Sequence, residues 1–227
     1  MKHKGDPIDG ILVVSKPVGI SSFGALSIVK RRLNIAKMGH LGTLDPLACG
    51  VLVLLCGKAT KLTEKLSGKT KVYRSIFRFG IETDTLDLAG ETTATSEKVI
   101  TREMILEVLP EFIGEVEITI PRFSAVHING ARAYDLARNG TEFTAPKKIV
   151  KISRFELLAE LGSNEFYFEI ECETGTYIRS LAQKLANRLG SVAIASLIQR
   201  TRVGDFKIEN AKDIKKISIA DLMQIEI

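Results

Sequence analysis

Apolar residues along the chain follow two repeating patterns, and the first of them predicts strands. The segment "VLVLLC" (51–56) is a continuous apolar run, which is typical of a strand buried on both faces. The segment "KVYRSIFRFG" (71–80) alternates between two faces, as a half-buried strand does. The segment "GILVVSKPVG" (10–19) predicts a short buried strand that ends at a lysine-proline pair. These strands imply a sheet with a well-buried centre.

The second pattern, apolar residues three and four positions apart, predicts helices. Residues 21–33 begin at a serine and end in a basic turn, and residues 59–68 predict a short basic helix closed by glycine. Residues 101–112 predict an acidic amphipathic helix that Pro110 interrupts. In residues 164–190 a strand pattern gives way to a helical stripe.

The order of these elements bears on the fold class. Strands and helices do not alternate regularly, so we predict an α+β fold with a large mixed, mostly antiparallel sheet flanked by helices. The length of 227 residues is compatible with a single domain over residues 1–227.

Charge is unevenly distributed along the chain. The formal net charge is +5, yet residues 1–38, 58–78 and 122–154 each carry seven basic side chains, whereas residues 81–117 carry ten acidic ones. If the basic segments converge in the fold, they form a phosphate-binding surface. Solvated helix faces explain the same counts equally well.

Composition narrows the class of protein. Three cysteines and three histidines show no metal-ligand spacing, so we expect no metal site. The N-terminus lacks an apolar signal region, and no apolar run approaches the length of a membrane span. We therefore expect a soluble cytoplasmic protein that does not bind membranes.

The stretch "GHLGTLDPLACGVLVLLCG" (39–57) contains one unambiguous charge, Asp45. Asp45 followed by Pro46 matches a helix start, and local rules favour that interpretation. However, Gly50 would restrict such a helix to a single turn. A carboxylate among apolar residues also needs a partner, which His40 or a distant arginine could supply. The second interpretation is a preorganised carboxylate that acts as a nucleophile or general base.

Four other side chains are candidates for chemistry. Tyr73 and Tyr177 have the local pattern of ordinary half-buried aromatic residues. Arg179 lies in the first turn of a predicted helix, where a cation opposes the helix dipole. A carboxylate or phosphate partner would explain that placement. Lys16 marks the end of the first strand.

The segment "FSAVHINGARAYDLARNG" (123–140) combines basic side chains, an aromatic residue and glycines. Locally, it predicts a surface loop and a short basic helix. Together with its flanking proline and lysines, it is also compatible with a mobile flap that closes over an anion.

Six segments between residues 10 and 206 resemble, in order, the motifs of the TruB family of tRNA pseudouridine-55 synthases. They are "GILVVSKPVGISSF", "GHLGTLDPLACGVL", "KVYRSIFRFGIETDTLDLAG", "FSAVHINGARAYDLARNG", "GTYIRSLAQKLANRLG" and "IQRTRVGDF". Six ordered motifs are far more specific than any one of them.

The resemblance implies a pseudouridine synthase fold and a role for each candidate residue. Asp45 would be the catalytic nucleophile, Arg179 would pair with it, and Tyr73 would stack on the target base and serve in acid-base chemistry. The remaining implied residues bind the substrate. They are His40, which would hold the flipped-out nucleotide, Tyr177 and Ile198, which would line the uracil pocket, and Lys16. Residues 121–148 would form a thumb that closes on RNA.

The implied activity is the isomerisation of uridine to pseudouridine at position 55, in the TΨC loop of tRNA. The implied partner is the T-arm stem-loop of tRNA, with no obligate protein partner, no cofactor and a monomeric enzyme. Two alternatives stay open: an RNA-binding or tRNA-folding chaperone on the same scaffold, and a pseudouridine synthase with another RNA target.

The chain also departs from the family pattern, at positions that bear on RNA contact more than on the reaction. These positions are Ser15, Ile118 to Pro121, His127, Gln183 to Ala186, and Gln199. The sequence ends soon after "VGDF", so we expect no C-terminal PUA domain and a weaker grip on the acceptor end of tRNA. An isolated T-arm hairpin is then expected to bind as well as full-length tRNA.

Overall fold

The computed structural model describes residues 5–128 and 130–224, with Ser67 described only through its backbone. The chain divides into two compact units, Met1–Tyr73 with Gln199–Ile227, and Arg74–Ile198. Strands β4 and β12 each contribute residues to both units. The strands are β1 (Gly10–Lys16), β2 (Met38–Leu41), β3 (Cys49–Cys56), β4 (Lys71–Phe79), β5 (Ile81–Thr83), β6 (Thr92–Thr95), β7 (Gly114–Thr119), β8 (His127–Ile128), β9 (Ala131–Arg132), β10 (Lys147–Gly162), β11 (Glu165–Cys172), β12 (Ala193–Val203), β13 (Phe206–Lys207) and β14 (Lys212–Asp213).

Five α-helices occur among the described residues, and they are short. They are α1 (Ser22–Arg32), α2 (Thr63–Ser67), α3 (Arg102–Val108), α4 (Ala133–Arg138) and α5 (Ile178–Arg188). Short 3-10 helices cover Gly57–Leu62, Leu109–Phe112, Ile208–Asn210 and Ile219–Asp221. In the part of the chain that is described, no helix combines the length and apolarity that crossing a bilayer requires.

The first unit is organised around β3. Strands β1 and β2 pair with β3 in antiparallel register, and the first-unit part of β12 pairs with it in parallel register at Gln199 and Arg200. Strand β14 adds to β1 in parallel. The unit therefore carries a mixed sheet, with β3 at its centre.

Both faces of β3 are buried, as the continuous apolar run predicts. One face joins a cluster with apolar residues of β1 and α1, and the other joins a second cluster with Leu41 and Val203. Helix α1 is capped at its start by the Ser21 hydroxyl, which accepts a hydrogen bond from the Gly24 N–H at 3.0 Å. Its last turn is basic, which suits the negative end of the helix dipole.

The second unit has antiparallel pairing of β10 with both β11 and β7. Its core is aromatic, and the rings meet at centroid distances of 4.8 to 6.0 Å, mostly edge to face. The rings of this cluster belong to Phe77, Phe112, Phe155 and Phe168. Strand β4 alternates as predicted: Phe77 and Phe79 are buried, and Arg74 is exposed, where it bonds Glu169 at 2.9 Å.

The predicted α+β class, with a mixed and mostly antiparallel sheet flanked by helices, is confirmed. Two details differ. The predicted basic helix over residues 59–68 is a 3-10 helix up to Leu62 and α-helical only afterwards. The helix over residues 101–112 is α-helical as far as Val108, and Pro110 lies within a following 3-10 turn because its ring cannot continue the α-helical hydrogen bonding.

Candidate active site

Asp45 lies in the loop Gly42–Ala48, here called the Asp45 loop, which joins β2 to β3. The Ala48 N–H donates to the Asp45 carbonyl at 3.1 Å, and this bond closes a four-residue turn. No helix begins at Pro46, so the helix-cap interpretation is wrong. The half-buried Asp45 carboxylate therefore projects from a tight turn that leads straight into the central strand.

Arg200 of β12 fixes the start of this loop. Its guanidinium is completely buried and donates to three carbonyls: Nη2 to Gly42 at 3.0 Å, Nη1 to Thr43 at 3.4 Å and Nε to Val51 at 2.8 Å. A rigid fork with several donors can hold a curved backbone in this way, which a single donor cannot. Arg200 thus ties the entry of the Asp45 loop to the start of β3.

Sequence reasoning missed Arg200. The available signal was its place in the alternation of β12, where Ile198 and Arg200 point to the same buried side of the strand. A charged residue at a buried strand position requires internal hydrogen bonds, and that requirement marks it as a structural or functional residue.

Gly50 makes this arrangement possible. Its φ of +103° lies in the left-handed region, which L side chains avoid. A Cβ at Gly50 would also lie 2.2 Å from the carbonyl oxygen of Arg200 on the neighbouring strand. Only glycine lets β12 approach β3 closely enough for the Arg200 side chain to reach the loop.

The middle of the Asp45 loop is held by α1. The Ser22 hydroxyl accepts from the Leu44 N–H at 2.8 Å and donates to the Leu44 carbonyl at 3.0 Å. The backbone N–H and carbonyl of Leu44, the residue before Asp45, therefore both bond the buried Ser22 hydroxyl.

The far side of the loop is held by Lys16. Its ammonium donates to the carbonyls of Ile20 at 2.6 Å, Pro17 at 2.8 Å and Pro46 at 3.3 Å, and the side chain is completely buried. The Gly19 N–H donates to the same Pro46 carbonyl at 2.8 Å. These contacts give Lys16 a role in positioning the loop, and the substrate contact implied for it stays a prediction.

Burial lowers the pKa of Lys16 to about 8, aided by the Arg200 cation and opposed by Cys49 and Asp45. In the unfolded chain the ordinary value of 10.5 applies. Between pH 8 and 10.5 the unfolded state therefore binds more protons, so this group raises the free energy of unfolding as the pH rises through that window.

We expect the unfolding free energy of wild type minus that of Lys16→Met to be constant below pH 8. This value should then rise, in favour of wild type, by up to about 1.4 kcal/mol per pH unit until pH 10.5. Urea titrations of both proteins from pH 6 to 10.5 measure this difference. If wild type instead lost stability relative to Lys16→Met between pH 8 and 10.5, the lowered pKa assigned to Lys16 would be contradicted.

His40 lies on β2, before the Asp45 loop, and is half-buried. Burial, together with the charge of Arg200, lowers the pKa of His40, which favours the neutral imidazole. Its Nδ1 is buried and has no hydrogen-bond partner among the described residues. Tyr73, at the end of the first unit on β4, is buried as well.

The second unit contains the other predicted site residues. Arg179, in the first turn of α5, is 3% exposed and donates to the carbonyls of Thr85 at 2.7 Å and Phe123 at 3.1 Å. Tyr177 is the half-buried N-cap of α5, and Ile198 is buried on β12. Arg179 therefore joins the turn after β5 to the base of the predicted thumb.

The predicted thumb, residues 121–148, contains the hairpin β8–β9 and helix α4, and it includes Asn129, which is outside the described residues. Lys16, His40 and Asp45 belong to the first unit, where Lys16 and Arg200 flank the Asp45 loop. Arg179, Tyr177 and Ile198 belong to the second unit. The pairing of Asp45 with Arg179 stays a prediction.

A comparison with protein-family models identifies residues 30–178 as a match to "TruB family pseudouridylate synthase (N terminal domain)". The chain belongs to the TruB family. The match includes the Asp45 loop, β4, the thumb and the start of α5. Membership confirms the predicted family and enzyme class.

Curated relatives give the same result for this TruB family chain. It is 42% identical over 210 residues to a "tRNA pseudouridine synthase B" of Caulobacter vibrioides, covering 92% of this chain and 68% of the relative. It is 40% identical over 219 residues to the protein of that name from Borreliella burgdorferi, covering 96% and 78%.

Solved structures confirm the predicted pseudouridine synthase fold. A chain in a crystal structure of a Cbf5-Nop10-Gar1 complex superposes with a TM-score of 0.70 at 29% identity, covering 91% of this TruB family chain and 52% of that chain. A chain in an H/ACA RNP bound to a substrate RNA containing 2′-deoxyuridine gives 0.69 at 26% identity, covering 95% and 57%. This chain thus spans about half the length of these solved relatives.

Proposed function

We propose that this protein isomerises uridine to pseudouridine in the TΨC loop of tRNA, at position 55, with Asp45 as the nucleophile. Family membership supports the reaction class, and the names of the curated relatives support tRNA as the substrate. Such a protein would act in the cytoplasm, as a monomer that binds the T arm.

One observation carries the proposal. The backbone on both sides of Asp45 is held by buried side chains: Arg200 and Ser22 bond it before Asp45, and Lys16 bonds it after Asp45. A carboxylate presented in this way is preorganised for attack, because little reorganisation is needed when the substrate arrives. A carboxylate that served only as a helix cap would not require three buried anchors.

The reaction suits such a site. The bond between N1 and C1′ breaks, the base rotates, and C5 bonds to C1′; C5 loses a proton and N1 gains one, so the product is an isomer of the substrate. The net change involves no oxidation or hydrolysis. Asp45 would act on the nucleoside at C1′ or C6, or assist elimination across C1′–C2′, and the three routes share the need for an ionised carboxylate. We assign the pairing partner of that carboxylate to Arg179.

Access to the nucleoside requires base flipping. The target uridine lies in a folded loop, so it must be extruded at a cost of a few kcal/mol. The basic residues of the thumb are suited to grip the RNA backbone and offset that cost. The half-buried His40, whose Nδ1 has no partner among the described residues, is suited to a hydrogen bond with the extruded nucleotide.

The test uses the purified protein with a T-arm hairpin and with full-length tRNA transcripts. We expect pseudouridine at the T-loop uridine of both RNAs, and no conversion of a transcript in which that uridine is replaced by cytidine. Tight binding of both RNAs without any conversion would refute the catalytic proposal and favour a folding chaperone. Conversion at another position would refute the assigned target.

A further inference from the structure

Among the described residues, two buried side-chain polar atoms have no hydrogen-bond partner: His40 Nδ1 and the Ser124 hydroxyl. Nearly all buried polar groups in proteins are paired, so an unpaired one requires an explanation. His40 already has an implied substrate contact. Ser124, at the base of the thumb, has no assigned role.

The position of Ser124 is fixed by its backbone surroundings. The Phe123 carbonyl accepts from Arg179 Nη2 at 3.1 Å, and the Ser124 carbonyl accepts from the Tyr134 N–H at 3.0 Å. The Val126 carbonyl accepts from the Ala133 N–H at 2.8 Å. The chain around Ser124 is thereby tied both to Arg179 and to the start of α4, whereas its side chain is left out of this network.

The other buried serines in the described part of the chain do not share this property. The hydroxyls of Ser22, Ser75 and Ser180 each donate to a backbone carbonyl. Ser124 is 6% exposed, so bulk water does not compensate its hydroxyl. A hydroxyl can donate one hydrogen bond and accept two, and this capacity is unused in the described protein.

We propose that the Ser124 hydroxyl is a substrate-binding group whose partner is an oxygen of the ribose-phosphate backbone at the target nucleotide. The proposal rests on the proposed function. The neighbouring Phe123 carbonyl is held by Arg179, which the proposed function assigns as the partner of the Asp45 carboxylate at the target nucleotide, and the surrounding segment 122–154 is strongly basic, which favours a ribose-phosphate ligand. A group left unpaired until the substrate arrives favours the bound state over the free state.

The proposal predicts opposite effects of one substitution on stability and on binding. Ser124→Ala removes an unpaired buried hydroxyl, so its thermal midpoint should equal or exceed that of wild type. Its affinity for the T-arm hairpin and its kcat/KM should fall by about 10-fold, as expected for one lost hydrogen bond to substrate. Fluorescence anisotropy, conversion assays and thermal melts measure the three quantities.

Ser75→Ala is the matched control, because the Ser75 hydroxyl is buried and already paired with the Leu197 carbonyl. This variant should melt at a lower temperature and keep wild-type RNA affinity. A thermal midpoint that falls in Ser75→Ala but not in Ser124→Ala separates a hydroxyl that stabilises the fold from one reserved for substrate.

The two sources of a backbone oxygen are distinguished with modified hairpins. One hairpin carries a 2′-deoxy substitution at the target nucleotide, and the other carries a methylphosphonate there. The modification that weakens binding to wild type but not to Ser124→Ala identifies the oxygen that the Ser124 hydroxyl bonds. If each modification weakened binding to Ser124→Ala as much as it weakens binding to wild type, the assignment to a backbone oxygen would be overturned.

Two further results would overturn the proposal altogether: a lower melting temperature of Ser124→Ala with unchanged RNA affinity, or no change in any measured quantity. The former would mean that the hydroxyl has a structural role. A wild-type protein that binds the hairpin without converting it would refute the proposed function alone, because the affinity comparison would still test Ser124.

Discussion

Asp45→Asn is expected to reduce the single-turnover rate of pseudouridine formation by at least about 1,000-fold. Asparagine has nearly the same shape as aspartate but no negative charge, so it cannot act as the nucleophile. The anchors of the Asp45 loop hold backbone groups of neighbouring residues, such as Gly42, Leu44 and Pro46. We therefore expect the free energy of unfolding to stay within about 1 kcal/mol of wild type, and RNA affinity to persist.

The exposed Asp205 provides the matched control. Asp205→Asn removes the same charge from the same unit and should convert RNA at the wild-type rate. Rates come from rapid-quench assays with enzyme in excess, and affinities from anisotropy with the same hairpin. If Asp45→Asn kept more than a tenth of the wild-type rate, Asp45 would not be the nucleophile.

Arg200→Met is expected to lower the free energy of unfolding by about 3 kcal/mol or more, because three carbonyl groups lose their donors in a buried environment. The entry of the Asp45 loop would lose its anchor, so the conversion rate should also fall, by about 100-fold, as expected for a displaced catalytic group. Urea unfolding and rapid-quench assays measure the two effects.

Two companion variants sharpen this prediction. Arg200→Lys restores the cation but not the planar fork, so stability and rate should lie between those of wild type and Arg200→Met. Arg102→Met replaces an exposed arginine at the start of α3 and should change stability by less than about 1 kcal/mol. A stable Arg200→Met protein that converts RNA at the wild-type rate would show that the arginine does not anchor the Asp45 loop.

Much of the fold was predictable because hydrophobic patterning decided it. The unbroken apolar run of residues 51–56 can bury both of its faces only at the centre of a sheet. Strand β3 lies there and packs against an apolar cluster on each face. The alternation of residues 71–80 places phenylalanines inward and arginines outward on β4. The change of period after residue 176 locates the start of α5.

The site was predictable only in part, because local rules do not determine tertiary partners. Local rules favour a helix start for Asp45 followed by Pro46, whereas the observed tight turn is held by anchors from residues distant in sequence. The alternation of β12 indicates that Arg200 is buried but does not identify the three carbonyls that it bonds. Arg179 was expected to need an anionic partner, whereas the carbonyls of Thr85 and Phe123 supply part of its environment.

The most direct measurement is a map of pseudouridine at single-nucleotide resolution in unmodified tRNA transcripts incubated with wild type or with Asp45→Asn. We predict one new pseudouridine, at the T-loop uridine at position 55, with wild type, and none with the variant. Formation of that pseudouridine by Asp45→Asn at a comparable rate, or its absence with wild type, would contradict the assignment of this chain as a T-loop pseudouridine synthase with Asp45 as its nucleophile.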